Sequence, residues 1–178
     1  MYEAGNPYTF LQVAGSEKQS FGGSYSNMDE AKAVIKVISM IRNASLKTTS
    51  KGTIGWDMPE RVRIITFYQG QVSLIRRLLQ QNGFGRILVA TVDSSQGCEA
   101  DVVILSFVRS NDKKGSVRHT TGFLCDDRRL NVAMTRARFQ LICIGNILGT
   151  ISTAGSDTLK AMVADAKSRQ CVMSLDSY

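Results

Sequence analysis

The chain reads TVDSSQGCEADVVILS over residues 91–106 and GFLCDDRRLNVAMTRARFQLICIGN over residues 122–146, and these two segments decide its fold. The first segment joins two apolar runs through a polar turn. The second places four arginines around a short helical pattern and continues into a third apolar run. Polar and basic groups held between buried strands are how α/β domains present chemistry at strand ends. Residues 91–138 therefore predict a buried sheet and a site beside it.

Apolar runs and helical spacing alternate along the rest of the chain. We predict strands at residues 8–13, 62–67, 87–92, 102–107 and 139–145. We predict helices at residues 27–43, 69–81, 126–136 and 156–169, separated by polar loops at 15–26, 44–60 and 109–121. The strands are continuously apolar, which is typical of a parallel sheet covered by helices on both faces. The chain should thus be a single α/β domain over residues 1–178, with its core at about residues 8–147.

Three of the predicted helices begin with capping signals. Asn27 followed by Glu30 resembles a capping box, in which the two side chains satisfy backbone N–H groups reciprocally. Either Asp126 or Asp127 can cap the third helix, and Ser156 can cap the last one.

The composition favours an anionic partner. The net charge is +7, so nucleic acid is the first candidate, although the same charge could serve only to keep a protein in solution. No apolar run approaches the length of a membrane span, and no signal peptide opens the chain, so we expect no membrane partner. Nothing in the sequence specifies an oligomeric state.

The cysteines and the histidine argue against a structural metal site. The four cysteines form no C-x-x-C pair, and His119 is the only histidine, so a zinc site is not expected. Cysteines without a disulfide framework are typical of a reducing compartment. We therefore expect the protein in the cytoplasm or the nucleus.

Two groups of polar residues are candidates for function. Helical spacing can bring Arg128, Asn131, Thr135 and Arg136 together near one flank of the third helix, where guanidinium groups would suit a phosphate. The alternative is a solvated helix with surface arginines. A second group, in which an amide and a carboxylate could orient water, a ribose or an arginine, consists of Gln96, Gly97 and Glu99. The alternative there is a plain turn whose glycine serves the backbone.

These segments resemble the conserved motifs of superfamily 1 helicases. TVDSSQGCEADVVILS is similar to motif V, RRLNVAMTRAR to motif VI, and IITFYQGQ at residues 64–71 to motif IV, with Phe67 where proline is usual. SYSNMDEA at residues 24–31 is similar to the block that opens the same lobe. The nearest branch contains the up-frameshift RNA helicase, senataxin and related 5′-to-3′ enzymes. The resemblance implies a RecA-like three-layer sandwich with a mostly parallel sheet.

The resemblance also implies residue roles at a nucleotide. Arg136 matches the arginine finger of motif VI, which reaches the γ-phosphate of ATP, and such a finger is worth about 10³–10⁵ in rate elsewhere. Glu99, Gln96, Gly97 and Arg138 match nucleotide-side positions. Asn131, Thr135 and Arg128 would support Arg136 or couple the nucleotide site to the nucleic-acid site. Met28 stands where the up-frameshift enzyme has a nucleotide-binding arginine, so no phosphate contact is expected from residue 28.

A second set of roles concerns nucleic acid. Thr66 and Thr91 match hydroxyl residues that hold the phosphates of single-stranded RNA or DNA, and Tyr68 and Gln71 would line the same path. In the family, ATP and Mg²⁺ are bound mainly by a first RecA-like lobe, which carries the P-loop. No G-x-x-x-x-G-K-[ST] sequence occurs in these 178 residues. The chain thus resembles the second lobe alone, as a fragment or a truncated product, with negligible ATPase of its own. The alternative is a non-catalytic binding module that retains the lobe's fold.

Overall fold

The central feature of the computed structural model is a six-stranded parallel sheet. The structure describes residues 7–48, 55–110, 126–151 and 156–174. The sheet has the order β5-β4-β6-β7-β1-β8, and every neighbouring pair in it is parallel. Its strands are β1 (Tyr8–Gln12), β4 (Val62–Thr66), β5 (Leu88–Thr91), β6 (Ala100–Ser106), β7 (Ala137–Gly145) and β8 (Val172–Ser174). The predicted parallel sheet is confirmed.

Four helices cover the two faces of this sheet. They are α1 (Met28–Thr48), α2 (Gln69–Gln81), α3 (Asp127–Met134) and α4 (Asp157–Ser168). Alternate residues of β6 point to opposite faces: Val103 and Leu105 belong to the core under α3 and α4, and Ile104 to the core under α1 and α2. Because helices cover both faces, the central parts of the strands are buried on both sides, which explains the continuous apolar runs in the sequence. The three-layer RecA-like arrangement is therefore confirmed.

The segment predicted as a loop at residues 15–26 contains a β-hairpin. Strands β2 (Glu17–Gln19) and β3 (Tyr25–Asn27) pair antiparallel, Glu17 opposite Asn27 and Gln19 opposite Tyr25. The loop prediction was wrong because the strands are three residues long and polar, so no hydrophobic period marks them. The strand β8 was missed for the same reason of length.

Two helix ends differ from their predicted positions. Helix α1 continues to Thr48, five residues beyond the expected end at Asn43. Helix α3 ends at Met134, so Arg136 lies outside it. The Thr135 hydroxyl donates to the carbonyl oxygens of Asn131 and Val132, which terminates the helix, and β7 then pairs with β6 from Ala137 onward. The Asp126 and Ser156 caps are confirmed, since each side chain accepts backbone N–H groups of its helix.

The register of the sheet separates two edges. Thr66 lies opposite both Thr91 and Ser106, at the end where the strands finish, which we call the carboxyl edge. Ala100 lies opposite Ala137, at the end where β6 and β7 begin, which we call the amino edge. Six residues of β6 separate the two levels, so the edges are about 20 Å apart at about 3.3 Å per residue.

Within the described ranges, no helix combines the length and the apolar character needed to cross a membrane. His119, Cys125 and most of the predicted loop at residues 109–121 lie outside the described residues.

Candidate functional site

At the amino edge, Arg136 is held by the helix that precedes it. Its Nε donates to the carbonyl oxygen of Val132 at 2.9 Å, and one terminal nitrogen donates to the Thr135 hydroxyl at 3.0 Å. The other terminal nitrogen lies 3.5 Å from the carbonyl oxygen of Cys98. All these partners are neutral, and no carboxylate pairs with Arg136 among the described side chains. The guanidinium is therefore oriented while its charge stays uncompensated.

The neighbouring Arg138 is paired with two acidic side chains. Its Nε lies 3.7 Å from the carboxylate of Glu99, and a terminal nitrogen lies 3.3 Å from that of Asp101. Asp101 also accepts from Arg61 at 2.7 Å. Glu99 and Arg138 are about half exposed, so water screens this pair. Of these two neighbouring arginines, Arg136 is the one that has no carboxylate partner among the described side chains.

The segment between β5 and β6 carries Gln96 and Gly97 from the carboxyl edge to the amino edge. Both residues are exposed, and a 3₁₀ turn at Asp93–Ser95 precedes them. Gly97 has φ +79°, a conformation that glycine adopts without strain. The backbone reading of this glycine is thereby supported. The Gln96 side chain is exposed to solvent.

The predicted supporting residues of α3 do not all gather at Arg136. Asn131 and Thr135 lie in its last turn and C-cap, and the Thr135 hydroxyl bonds Arg136 directly. Arg128 lies in the first turn, at the carboxyl edge, where it lines a different surface. The expected convergence of Arg128 with Arg136 is wrong because Arg128 lies in the first turn of α3 and lines the carboxyl-edge cleft, whereas Arg136 follows the end of the helix.

At the carboxyl edge, an open cleft of ≈ 1230 Å³ lies between the β2–β3 hairpin, the ends of β4 and β5, and the start of α3. Tyr68 and Thr91 line it, as do Arg109 and Arg128. The Thr91 hydroxyl shares a hydrogen bond with Ser94 at 2.7 Å. Two of the four residues predicted to bind single-stranded nucleic acid therefore line the same surface. Two arginines line it as well.

The other two predicted strand-binding residues are buried behind this cleft. Thr66 is fully buried, and its hydroxyl has no hydrogen-bond partner among the described residues. Gln71 is also fully buried, and its amide accepts from Asn27 N–H at 2.8 Å and donates to the Ser106 hydroxyl at 3.0 Å. In this conformation, neither side chain can contact a nucleic-acid strand directly.

Sequence reasoning missed Arg109 and its surroundings. Its Nε donates to Glu17 at 2.9 Å in a nearly buried ion pair, and its guanidinium lies 4.3 Å from the centre of the Tyr25 ring. Burial alone would lower the pKa of Arg109. The hydrogen bonds that Arg109 donates to Glu17 and Tyr68 outweigh the effect of burial and raise the pKa. An arginine directly after a buried strand was the available signal.

The capping-box prediction at Glu30 was wrong. Asn27 caps α1 through its side-chain oxygen, which accepts from the N–H groups of Asp29 and Glu30. Glu30 instead turns inward, where its carboxylate accepts from the Ser106 hydroxyl at 2.7 Å and from Val108 N–H at 2.8 Å. Burial raises the pKa of Glu30 to about 8, although these hydrogen bonds oppose the shift. Met28 lies one residue after this cap and is exposed.

No group of three or more histidine, cysteine, aspartate or glutamate side chains gathers as a potential metal site within the described ranges.

Comparisons with known proteins place this geometry in a family. Residues 1–148 match the family described as an AAA domain. The regulator of nonsense transcripts 1 of Dictyostelium discoideum is 42% identical over 148 residues, which cover 79% of this chain and 10% of that protein. Its homolog in Drosophila melanogaster is 38% identical over 147 residues, which cover 79% of this chain and 11% of the relative.

A third relative is the ATP-dependent helicase NAM7 of Saccharomyces cerevisiae, which is 36% identical over 149 residues that cover 80% of this chain and 14% of the relative. The chain spans only about a tenth to a seventh of the length of these relatives. The chain belongs to this AAA domain family, as a second RecA-like lobe of a superfamily 1 helicase of the up-frameshift type.

Proposed function

We propose that this lobe completes an ATP-hydrolysing site whose other half is a first RecA-like lobe. The observation that carries the proposal is Arg136, whose guanidinium is fixed by neutral oxygens at the amino edge and faces no carboxylate among the described residues. A preorganised positive charge stabilises the negative charge that develops on a transferring γ-phosphate. Arg136 would thus act as an arginine finger across the cleft between the lobes.

The other amino-edge residues would shape the surface around Arg136. Thr135 orients its guanidinium, and Asn131 holds Thr135 through its carbonyl oxygen. Arg138 neutralises Glu99, which keeps that carboxylate from pairing with Arg136. Glu99, Gln96 and Gly97 would then lie beside the nucleotide's ribose and phosphates. These assignments rest on the motif resemblance and on the shared edge.

ATP and Mg²⁺ would be held mainly by the first lobe. When bound, Mg²⁺ would neutralise part of the charge of the nucleotide's phosphates. This lobe would contribute to the ATP site only through its own side chains at the amino edge. Met28 is uncharged and begins α1, whose Glu30 bonds Ser106 at the carboxyl edge, so residue 28 adds no cation at the amino edge. Arg136 would therefore carry the contact with the γ-phosphate from this side.

The first prediction concerns Arg136 in a protein in which this chain follows a P-loop lobe. Arg136→Ala should lower strand-stimulated ATP hydrolysis by about 10³–10⁵-fold, because the finger's charge is lost. Steady-state phosphate release would measure the loss. Arg77→Ala removes an exposed arginine from the middle of α2 and should leave the rate unchanged. Equal rates for Arg136→Ala and the unaltered protein would rule out the finger.

We also propose that the carboxyl-edge cleft binds single-stranded RNA or DNA. Arg128 is exposed there, and Thr91 and Tyr68 line the same surface. Gln71 would contribute from behind, because its amide bonds Ser106 at the end of β6, and Thr66 would contribute only by packing beneath the cleft. Contacts of this kind position the sugar-phosphate backbone and carry little sequence information.

The second prediction concerns the isolated chain, which should bind a single strand weakly and with a strong dependence on salt. Each phosphate contact contributes about −0.7 to the slope of log K against log salt concentration for single strands. Arg128→Gln should therefore make the slope shallower by about 0.7, as fluorescence anisotropy would show. Arg77→Gln is the matched control. An unchanged slope for Arg128→Gln would contradict the contact.

We also propose that the protein is located in the cytoplasm or the nucleus. The three described cysteines, Cys98, Cys143 and Cys171, are free thiols. Free thiols are typical of reducing compartments, which supports the cytoplasm or the nucleus.

A further inference from the structure

We propose that Phe21, at the turn of the β2–β3 hairpin, stacks on a base of the strand bound in the carboxyl-edge cleft. The inference rests on the proposed strand-binding function and adds a specific base contact to it. Phe21 is fully exposed, in contrast to the other aromatic side chains around this cleft. A single exposed aromatic residue is common on protein surfaces and needs a second reason to matter.

The first reason is that the hairpin is fixed against the cleft. Glu17 in β2 accepts from the Arg109 guanidinium and from Ser110 N–H at 2.8 Å, and the Arg109–Glu17 pair is nearly buried. Directly before β3, the Ser24 hydroxyl accepts a hydrogen bond from Gly70 N–H of α2 at 2.9 Å. A Cβ on Gly70 would lie 2.9 Å from the carbonyl oxygen of Tyr25, so a glycine at this position lets the hairpin sit close to α2.

The second reason is the build of the turn itself. Ser20 N–H donates to the Ser24 carbonyl oxygen, and Gly23 N–H donates to that of Ser20, which closes the turn around Phe21. Gly22 and Gly23 line the cleft and have no side chains that could keep a ligand away from the turn. Gly23 has φ +78°, which a glycine adopts without strain. A strand in the cleft can therefore approach the backbone beside Phe21.

The third reason is that the other aromatic rings of the cleft are already engaged. Tyr25 and Tyr68 pack edge to face at 5.4 Å, and Arg109 covers the face of Tyr25. Phe67 stacks on Phe107 at 5.9 Å and is 6% exposed. Among the described aromatic residues near the cleft, Phe21 offers an open ring face.

The chemistry of the cleft favours a nucleic-acid strand over a neutral apolar ligand. Arg128 is exposed, and within the described part of the chain it forms no ion pair, so it can meet a phosphate. A phosphate on an arginine together with a base on an aromatic ring is how proteins bind single strands without sequence preference. The site should thus accept RNA and DNA of mixed sequence.

The test compares Phe21→Ala, Phe21→Trp and Phe139→Ala for binding of a labelled oligonucleotide to the isolated chain. Phe21→Ala should weaken binding by about 5- to 150-fold, the range that base–aromatic stacking gives. Phe21→Trp should bind as well as the unaltered chain or better. Phe139 is 73% exposed at the amino edge, and Phe139→Ala should change nothing.

A strand without bases separates stacking from a structural effect. On an abasic strand of equal length, Phe21→Ala and the unaltered chain should bind equally, because the phosphate contacts remain. The salt slope of Phe21→Ala should also equal that of the unaltered chain, unlike that of Arg128→Gln. An equal loss on both strands would show that the residue acts through the fold and would overturn the proposal.

The failures of the two proposals are distinguishable. If the unaltered chain binds no single strand at all, both the strand-binding function and the stacking contact are refuted. If the unaltered chain binds, Arg128→Gln weakens binding and Phe21→Ala does not, only the stacking contact is refuted. Thermal unfolding of each variant confirms that the comparison is between folded proteins.

Discussion

Glu30 shows how one buried carboxyl group can join a helix, a strand and the segment that follows the strand. It lies in the first turn of α1, and it accepts from Ser106 at the end of β6 and from the backbone of Val108 just beyond it. Val108 has φ 73°, an unfavourable conformation for a β-branched residue. The hydrogen bond from Val108 N–H therefore helps to hold a strained backbone directly before Arg109. A carboxylate that no ligand contacts thus influences the cleft.

The raised pKa of Glu30 gives the third prediction, a pH-dependent stability. Folded Glu30 has a pKa of about 8, whereas an unfolded glutamate has one near 4.5. Between these values the folded chain holds a proton that the unfolded chain has lost. Unfolding then releases a proton, so the free energy of unfolding should fall as pH rises from about 5 to about 8. The slope approaches about 1.4 kcal/mol per pH unit at its steepest.

Urea unfolding at several pH values would measure this dependence, with Glu30→Gln as the comparison. The variant cannot titrate at this position, so the difference between the two profiles isolates Glu30. The difference in the free energy of unfolding should change most steeply between pH 5 and 8. Above about pH 9 it should be constant. Parallel profiles across the whole range would contradict the raised pKa.

At the scale of elements, one nearly buried ion pair anchors the β2–β3 hairpin, in addition to the hydrogen bonds of Ser24 and Asn27 to α2. The side chains of Arg109 and Glu17 are 9% and 7% exposed, so both charges have lost most of their hydration. Removing one partner leaves the other charge buried and uncompensated, which costs more than the pair itself contributes. The hairpin is therefore held in place by a contact that its own sequence does not reveal.

The fourth prediction is that Glu17→Ala lowers the free energy of unfolding by about 3 kcal/mol. Lys160→Ala breaks the Lys160–Asp157 pair, in which both side chains are well exposed, and should cost no more than about 0.5 kcal/mol. Chemical denaturation of both variants gives the two numbers. Similar small losses would mean that Arg109 finds water or another acceptor once Glu17 is gone.

The elements that could be predicted from sequence are those with long apolar periods. The α2 prediction at residues 69–81 matches Gln69–Gln81, because Val72, Ile75 and Leu79 mark its buried face. The hairpin could not be predicted, since Glu17, Lys18 and Gln19 carry no apolar period. The end of α3 was also missed: arginine and alanine favour helix, but strand pairing of Ala137 overrides that preference. For the site, the role of Arg136 stays a prediction from the motifs, whereas the burial of Gln71 could not be predicted because it depends on contacts between distant segments.

At the scale of the whole molecule, the sheet keeps the two candidate surfaces apart. Arg136 and Glu99 lie where β6 and β7 begin, and Thr91 and Arg128 lie at the opposite edge. Helix α3 connects the edges, with Arg128 in its first turn and Arg136 just after its end. One rigid lobe can therefore present one edge to a nucleotide and the other to a strand. Communication between them would then require a second body that contacts both edges.

The fifth prediction follows from this separation. In the isolated chain, Arg136→Ala should leave single-strand affinity within about twofold of the unaltered value, because sites more than about 10 Å apart act independently. The double variant Arg128→Gln/Arg136→Ala should bind like Arg128→Gln alone.

In a two-lobed protein with bound ATP, the same two substitutions should no longer be independent. Closure of the lobes would link nucleotide and strand, with a coupling of about 5- to 150-fold in strand affinity. Anisotropy titrations of the double-variant cycle, with and without the first lobe, measure this directly. Coupling already present in the isolated chain would place the link inside this lobe, along α3. Absence of coupling in the two-lobed protein would contradict a motor in which Arg136 senses the nucleotide.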